Sequence, residues 1–303
     1  MPDSKKSHTY SPRHWPALLG LWLLRQAVRL PYRTQVQLGR RLGALLRRLT
    51  PRHERIAYTN IRLCFPALSE AECRARTRAH FEALGISLFE VGMSWWASEE
   101  FLRPLMKIKG KENLDEALEH GRGVLLLSAH FTTLEIGGRL ISLLHPIDVT
   151  YRPGRDDPVG EHLTRQRDRL YESAIPKENV RAVLRRLKEN KIIWYAPDQG
   201  YGGPNRVYVD FFGIPAASNP ATARFAKISG AKVVPFFARR LPEQQGYELN
   251  FLPALEQFPS DDIVADTRRV NETFEKMIQR APEQYLWVHK RFKFAPPGQS
   301  APY

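Results

Sequence analysis

Residues 123–140, GVLLLSAHFTTLEIGGRL, constrain the fold of this chain more than any other stretch. A short apolar run follows Gly123, as in a strand that is covered on both faces of a sheet. Beyond this run, apolar residues recur at helical spacing from Leu134 to Leu144. The stretch therefore predicts a buried strand, then a sharp turn that carries His130, and then a helix with Glu135 in its first turn.

The spacing of His130 and Glu135 shows where that helix must begin if the two side chains act together. Five positions within one helix would rotate them about 140° apart, so they meet only if His130 precedes the helix. The Glu135 carboxylate then accepts a hydrogen bond from one ring N–H of His130 and leaves the other ring nitrogen free to act as a base. The structural alternative is that Thr132 and Glu135 form a capping box, with His130 an ordinary polar residue at a strand end.

The net charge of +14 is concentrated near the N-terminus. Residues 1–80 hold 16 Lys and Arg against 4 Asp and Glu, and the other 223 residues hold 30 against 28. Such a basic region suits an anionic membrane surface, an acidic protein or nucleic acid. We expect no nucleic-acid partner, because neither interleaved aromatic residues nor zinc-ligand spacing accompanies the charge.

An apolar, tryptophan-bearing segment lies at residues 15–24, within the basic region. Arg25, Gln26 and Arg29 interrupt it well short of the ~20 residues of a spanning helix, and no small-residue cleavage site follows. The pattern favours an amphipathic anchor, at about residues 15–32, that lies in the membrane interface. A tilted spanning helix with snorkelling arginines and a helix packed on the rest of the protein are the alternatives.

Alternating strands and helices follow further basic helices at 36–49, 53–63 and 69–96. We predict strands at 106–109, 124–129, 147–152, 191–196, 206–212, 232–238 and 247–252. We predict helices at 112–120, 133–145, 158–172, 178–189, 219–229 and 262–280. This alternation predicts an α/β fold with a mostly parallel sheet covered by helices. Residues 1–100 form its basic helical, membrane-associating extension, and residues 101–303 form the α/β domain.

Ligands of open parallel sheets bind beyond the carboxyl ends of the strands, where His130, Arg152 and Asp198 are predicted to lie. Several other kinds of site are disfavoured. Ser128 has no G-x-S-x-G elbow, and the spacing of His130 and Glu135 is not the H-E-x-x-H of zinc hydrolases. The two cysteines have no CxxC or histidine neighbours, so we expect neither a disulfide framework nor a metal site.

Four blocks of sequence resemble a known family: HFTTLEIGGRL at 130–140, YRP at 151–153, WYAPDQGYGGP at 194–204 and PEQYLWVHKRFK at 282–293. The H-x-x-x-x-E of the first block, behind an apolar strand, resembles the first motif of the glycerophosphate-acyltransferase-like superfamily. Together the four blocks resemble the late acyltransferases of lipid A biosynthesis. Those enzymes add secondary acyl chains to the Kdo-bearing lipid A precursor.

The resemblance implies a fatty acyl transfer from acyl carrier protein, the co-substrate, to a hydroxyl of the Kdo-lipid A precursor. It implies an enzyme on the cytoplasmic face of the inner membrane that uses no cofactor. His130 is then the general base, with Glu135 as its orienting carboxylate. Substrate-binding candidates are Arg152, whose planar fork suits a phosphate or an oxyanion, and also Tyr151, Asp198 and Arg206.

Two alternatives to this function remain at the level of sequence. One is an acyltransferase that uses another glycolipid or a lysophospholipid as acceptor. The other is a non-catalytic, membrane-tethered lipid-binding module. The final block overlaps a strand-like aromatic run at residues 285–294, and we expect this run to serve packing rather than chemistry.

Overall fold

The structure is a computed structural model that describes residues 14–152 and 158–303. Residues 1–13 and Pro153 of the second block lie outside the described residues. Four helices come first and match the predicted basic helical region: α1 (Trp15–Ala27), α2 (Tyr32–Leu49), α3 (Pro51–Cys64) and α4 (Glu70–Trp96). Helix α4 begins with the capping box that Ser69 and Glu72 indicate in the sequence.

The rest of the described chain alternates between strands and helices, as predicted. The strands are β1 (Met106–Lys109), β2 (Val124–Leu127), β3 (Asp148–Tyr151), β4 (Ser173–Pro176), β5 (Ile192–Tyr195), β6 (Val207–Phe211), β7 (Ile214–Ser218), β8 (Lys232–Arg240) and β9 (Tyr247–Phe251). The helices are α5 (Glu99–Leu102), α6 (Lys111–Glu119), α7 (Leu134–Ser142), α8 (Pro158–Leu170), α9 (Val180–Lys188), α10 (Ala221–Ser229) and α11 (Ile263–Arg280).

Seven of the strands form one sheet in the order β1-β9-β8-β2-β5-β3-β4. Strands β8, β2, β5, β3 and β4 are parallel, whereas β9 runs antiparallel to β8 and pairs in parallel with β1. The predicted mostly parallel sheet is therefore confirmed. Strands β6 and β7 form a separate antiparallel hairpin.

The prediction missed β4 and β7, and both have weak strand signals. Strand β4 lies at the edge of the sheet and ends at Pro176, which lacks the N–H that a further ladder bond needs. Strand β7, IPAAS, contains Pro215 and two alanines, which have low strand propensity. Pairing with β6 across a tight turn at Phe212 and Gly213, both with positive φ, holds β7 in place.

Strand β2 is the centre of the sheet and of the hydrophobic core. All four of its side chains are fully buried, which explains why its sequence is a continuous apolar run. Leu125 and Leu127 face one cluster of buried residues, and Val124 and Leu126 face the other, as expected from the two-residue period of a strand. Helices α3, α9, α10 and α11 contribute to the first cluster, and α2, α6 and α7 to the second.

The N-terminal helices share that core instead of standing apart from it. Tyr32, Ile86 and Met93 pack in the same cluster as residues of the sheet. Helices α2 and α4 cross so closely at Gly43 that a Cβ there would lie 2.1 Å from the Phe81 carbonyl oxygen. A side chain at Gly43 would therefore force the two helices apart.

Helix α1 differs from the other N-terminal helices because none of its residues is buried. It packs on α4 where Leu24 meets Gly92. Its large apolar residues Trp15, Leu19, Trp22 and Leu23 are 53–63% exposed. No helix within residues 14–152 and 158–303 is both long and apolar enough to cross a membrane.

A buried ion pair joins α4 to the antiparallel part of the sheet. Glu90 is 1% exposed and receives two hydrogen bonds of 2.7 Å from Arg240 on β8. The Tyr247 hydroxyl on β9 donates a third, at 2.8 Å. Removing one partner of such a pair leaves an uncompensated buried charge, which costs far more than losing an exposed pair.

We therefore expect Glu90→Ala to lower the free energy of unfolding by about 3–5 kcal/mol. Glu70→Ala is the matched control, because Glu70 pairs with Arg74 on the same helix but in solvent, and it should leave the free energy of unfolding nearly unchanged. Urea unfolding monitored by circular dichroism measures both. Equal losses in the two variants would show that the buried pair does not connect α4 to the sheet energetically.

Candidate active site

His130 lies in the loop between β2 and α7, at the carboxyl end of the central strand. Its Nδ1 is 2.6 Å from Oδ1 of Asp198. Asp198 follows β5, which pairs in parallel with β2 so that Leu127 lies beside Tyr195. The two chain segments leave neighbouring strands at the same edge of the sheet, and this is why the two side chains meet. The predicted location beyond the strand ends is confirmed for both residues.

Burial and charge define this pair. Asp198 is 1% exposed, whereas the His130 side chain is 28% exposed. The ring of His130 thus presents Nδ1 to the buried carboxylate while its side chain remains partly exposed. The other carboxylate oxygen, Asp198 Oδ2, is also buried, and the Tyr285 hydroxyl is a neighbour of this carboxylate.

The Asp198 carboxylate stabilises the protonated imidazole of His130. Burial acts against the charged form of each group, but the mutual attraction and the hydrogen bond outweigh it. The pKa of His130 is consequently raised above 6.5, and the pKa of Asp198 is lowered below 3.8. When His130 gains a proton, the negatively charged carboxylate of Asp198 stabilises the imidazolium.

The predicted pairing of His130 with Glu135 is corrected by the structure. Oε1 of Glu135 is 3.4 Å from Nη2 of Arg167, on α8, and it is Asp198 that occupies Nδ1 of His130. Helix α7 begins at Leu134, so His130 does precede the helix as expected, but Glu135 turns toward α8. His130 and Glu135 lie in one loop–helix segment. The carboxylate that contacts His130, however, is that of Asp198, in the loop after the neighbouring strand β5.

The alternative capping box at the start of α7 is also absent. Thr133 is the N-cap residue, and its hydroxyl donates to the Ala238 carbonyl oxygen at 2.6 Å instead of capping the helix. The Thr132 hydroxyl is buried without a hydrogen-bond partner among the described residues. Glu135 is therefore free for its contact with Arg167.

The other substrate-binding candidates lie in different surroundings. Tyr151 ends β3 and packs under Arg167, with the guanidinium carbon 5.2 Å from the ring centroid. Arg152 follows it and is exposed. Arg206 bonds to its own loop, at the carbonyl oxygens of Gly202 and Gly203, and to the Tyr208 hydroxyl. The structure thus joins Tyr151 to Glu135 through Arg167, a residue that sequence reasoning missed.

The C-terminal block forms the wall of the site rather than a strand, so the strand-like reading of residues 285–294 was wrong. The segment consists of turns with one isolated bridge, between Phe131 and Tyr285. The Leu286 amide donates to the His130 carbonyl oxygen at 2.9 Å, and the Thr132 amide donates to that of Gln284 at 2.6 Å. These bonds fix the loop that carries His130 from both sides.

His289, in the same segment, supports the loop after Asp198. Its Nε2 accepts a hydrogen bond of 3.3 Å from the Gly200 amide. Burial, and then the charge of Lys293, lowers the pKa of His289 to about 4, so the ring is neutral at physiological pH and Nε2 serves as acceptor. The sequence analysis assigned this segment to packing and gave His289 no role. The presence of a histidine within the block was the one signal of it in the sequence.

A narrow gap lies beside His130, beneath α7. Its lining includes Phe131, Leu134, Trp194 and Phe236, together with Gly137. The gap measures about 10 Å³, close to the space that one water molecule needs. An apolar lining of this kind is compatible with alkyl groups, but a fatty chain requires the lining side chains to move apart.

Comparison with known proteins identifies the family to which the chain belongs. Residues 3–294 match the family described as bacterial lipid A biosynthesis acyltransferase. The chain belongs to that family. It is accordingly an acyltransferase, and the resemblance of the four sequence blocks is confirmed.

Several curated relatives of this acyltransferase cover nearly the whole chain. The lipid A biosynthesis palmitoleoyltransferase of Escherichia coli (strain K12) is 36% identical over 304 residues, which is 100% of this chain and 99% of the relative. The lauroyltransferase of the same strain is 37% identical over 96% of each chain. Its myristoyltransferase is 26% identical over 100% of this chain and 94% of the relative.

We expect Asp198→Asn to lower the pKa of His130 from above 6.5 to below it, because burial remains while the attraction is lost. Titration of the His130 ring signals by NMR measures the change. Glu135→Gln is the control: it contacts Arg167 instead of His130 and should leave that pKa nearly unchanged. A larger shift in Glu135→Gln than in Asp198→Asn would restore the pairing that the sequence suggested.

Proposed function

We propose that this acyltransferase moves a fatty acyl chain from acyl carrier protein to a hydroxyl of the Kdo-lipid A precursor. The observation that carries the proposal is the His130–Asp198 pair, with its partly exposed imidazole at the carboxyl edge of a parallel sheet. The relatives named for lauroyl, myristoyl and palmitoleoyl transfer in lipid A biosynthesis support the choice of substrates.

In this mechanism Nε2 of His130 takes the proton of the acceptor hydroxyl while that oxygen attacks the thioester carbonyl carbon. The carbonyl electron pair moves onto oxygen and gives a tetrahedral oxyanion. When the oxyanion collapses, the carbon–sulfur bond breaks, and the thiolate takes a proton from the imidazolium. Asp198 holds the imidazole by Nδ1 and stabilises the imidazolium between the two proton transfers.

Glu135 acts in the proposal as a positioning residue for Arg167. Their contact, together with the packing of Arg167 on Tyr151, fixes a guanidinium between α7 and α8. Such a group suits a phosphate of the acceptor or the oxyanion. We propose exposed Arg152, one residue beyond Tyr151, for a phosphate contact as well, and Arg206 keeps the same predicted role.

We expect His130→Ala to lower kcat by about 10²–10⁴-fold, because the base is lost. The assay pairs the lipid A precursor with carrier proteins that bear the three acyl chains named in the relatives, and mass spectrometry detects the product. Ser128→Ala should keep full activity, since its buried hydroxyl only approaches the Ala129 carbonyl oxygen. Loss of activity in Ser128→Ala with His130→Ala still active would favour an acyl-serine mechanism instead.

We further propose that the enzyme works on the cytoplasmic face of the inner membrane, with α1 in the membrane interface. The support is the exposed apolar surface of α1, which carries two tryptophans, and the basic charge of residues 1–80. Tryptophan rings favour the boundary between headgroups and acyl chains.

We expect the double variant Leu19→Glu and Trp22→Glu to weaken binding to phosphatidylethanolamine–phosphatidylglycerol vesicles by at least about tenfold, because the apolar surface is lost. Vesicle sedimentation gives the bound fraction. Ile228→Glu is the control, since Ile228 is also an exposed apolar residue but lies on α10. Unchanged vesicle binding in the double variant would contradict an interfacial α1.

A further inference from the structure

A cavity of about 290 Å³ lies where α2, α3 and α4 meet, apart from the His130 site. We call it the arginine cavity, because its lining carries four arginines, Arg47, Arg55, Arg74 and Arg78, against one acidic residue, Glu54. The formal charge of this lining is +3. A concave surface of one sign focuses its field on whatever enters it.

Two of the arginines are already engaged. Arg47 is paired with Glu54 at 2.6 Å, and the Arg74 guanidinium lies 5.4 Å from the Tyr58 ring centroid and pairs with Glu70. Arg55 and Arg78, in contrast, are exposed and have no ion pair within the described part of the chain. Their guanidinium groups are available to bind carboxylates or phosphates in bidentate fashion.

The position of the cavity on α2 distinguishes between two anionic partners. Leu38, Leu45 and Leu49 form a stripe of exposed leucines on α2, and they lie about 160–200° around the helix axis from Arg47. The apolar surface that suits a membrane therefore lies on the opposite flank of α2 from the cavity. This arrangement favours an acidic, water-soluble protein over a lipid headgroup as the ligand.

A chain of contacts links the arginine cavity to the loop that carries His130. Thr77 lines it, and His80 follows one turn later on α4, about 4.5 Å along the axis. The His80 ring lies 3.1 Å from the Glu283 carbonyl oxygen, and the next residue, Gln284, holds the Thr132 amide beside His130. A protein docked here is thus connected to the His130 loop through a single turn of helix and one chain segment.

We propose that the arginine cavity is the docking site of the acidic protein that carries the acyl thioester. This inference rests on the proposed transfer from a carrier-borne donor. The carrier presents carboxylates or a phosphate to Arg55 and Arg78, and the tethered acyl group then extends toward His130. Docking through exposed charges predicts fast, salt-sensitive association.

The test is a double charge reversal, Arg55→Glu with Arg78→Glu. The control, Arg181→Glu with Lys188→Glu, makes the same change in net charge on exposed residues of α9, outside the cavity. Calorimetry with purified acyl carrier protein lacking an acyl chain measures binding directly. We expect the cavity variant to raise Kd at least tenfold and the control to leave it within twofold. Circular dichroism confirms that both variants are folded.

Kinetics with two donors separate docking from catalysis. The cavity variant should raise KM for acyl carrier protein at least tenfold while KM and kcat for a small-molecule acyl thioester stay within twofold.

Unchanged Kd and KM for the carrier, or equal losses with both donors, would overturn the proposal. Weaker binding to phosphatidylglycerol vesicles with unchanged carrier binding would assign the cavity to a lipid headgroup instead. If the wild type binds the carrier through these arginines but transfers no acyl group, the docking site stands and the proposed function fails.

Discussion

The hydrogen bond between His130 and Asp198 is the interaction on which the site depends. It joins residues 68 positions apart, and it exists because β2 and β5 are neighbours that end at the same edge of the sheet. Burial of Asp198 strengthens the attraction, since few solvent molecules screen it. The imidazole remains partly exposed, as the proposed approach of an alcohol and a thioester requires. The pairing of β2 with β5 thus sets both the basicity of His130 and its position at the edge of the sheet.

The chain surrounds this pair with segments from both of its ends. Residues 284–289 bond to the His130 loop and to Gly200, so the C-terminus fixes both members of the pair. Helix α4 in turn contacts that segment through His80 and reaches the sheet through Glu90 and Arg240. The basic helices are therefore part of the structural support of the site.

The exposed apolar residues and the arginine cavity occupy different surfaces of these helices. Exposed apolar residues of α1 and the leucine stripe of α2 suit a lipid interface, whereas the arginine cavity lies on the opposite flank of α2. In the proposed function the acceptor comes from a membrane and the donor from a soluble carrier, and such an enzyme needs two surfaces of this kind. Under this proposal, both surfaces lie on the basic helices, where the charge of the chain is concentrated, whereas the α/β part is nearly neutral.

The sequence by itself determined the fold class, most strand and helix positions, the family and the location of His130, because periodicity, capping residues and motif spacing are local properties. It did not determine β4 and β7, whose weak propensities are overridden by pairing with neighbours. Nor did it select Asp198 over Glu135 as the partner of His130, or reveal Arg167 and His289. Those choices depend on strand order and on the path of the C-terminal segment, which bring together residues distant in the chain. Only tertiary packing decides such contacts, because no local pattern records which strand lies beside which.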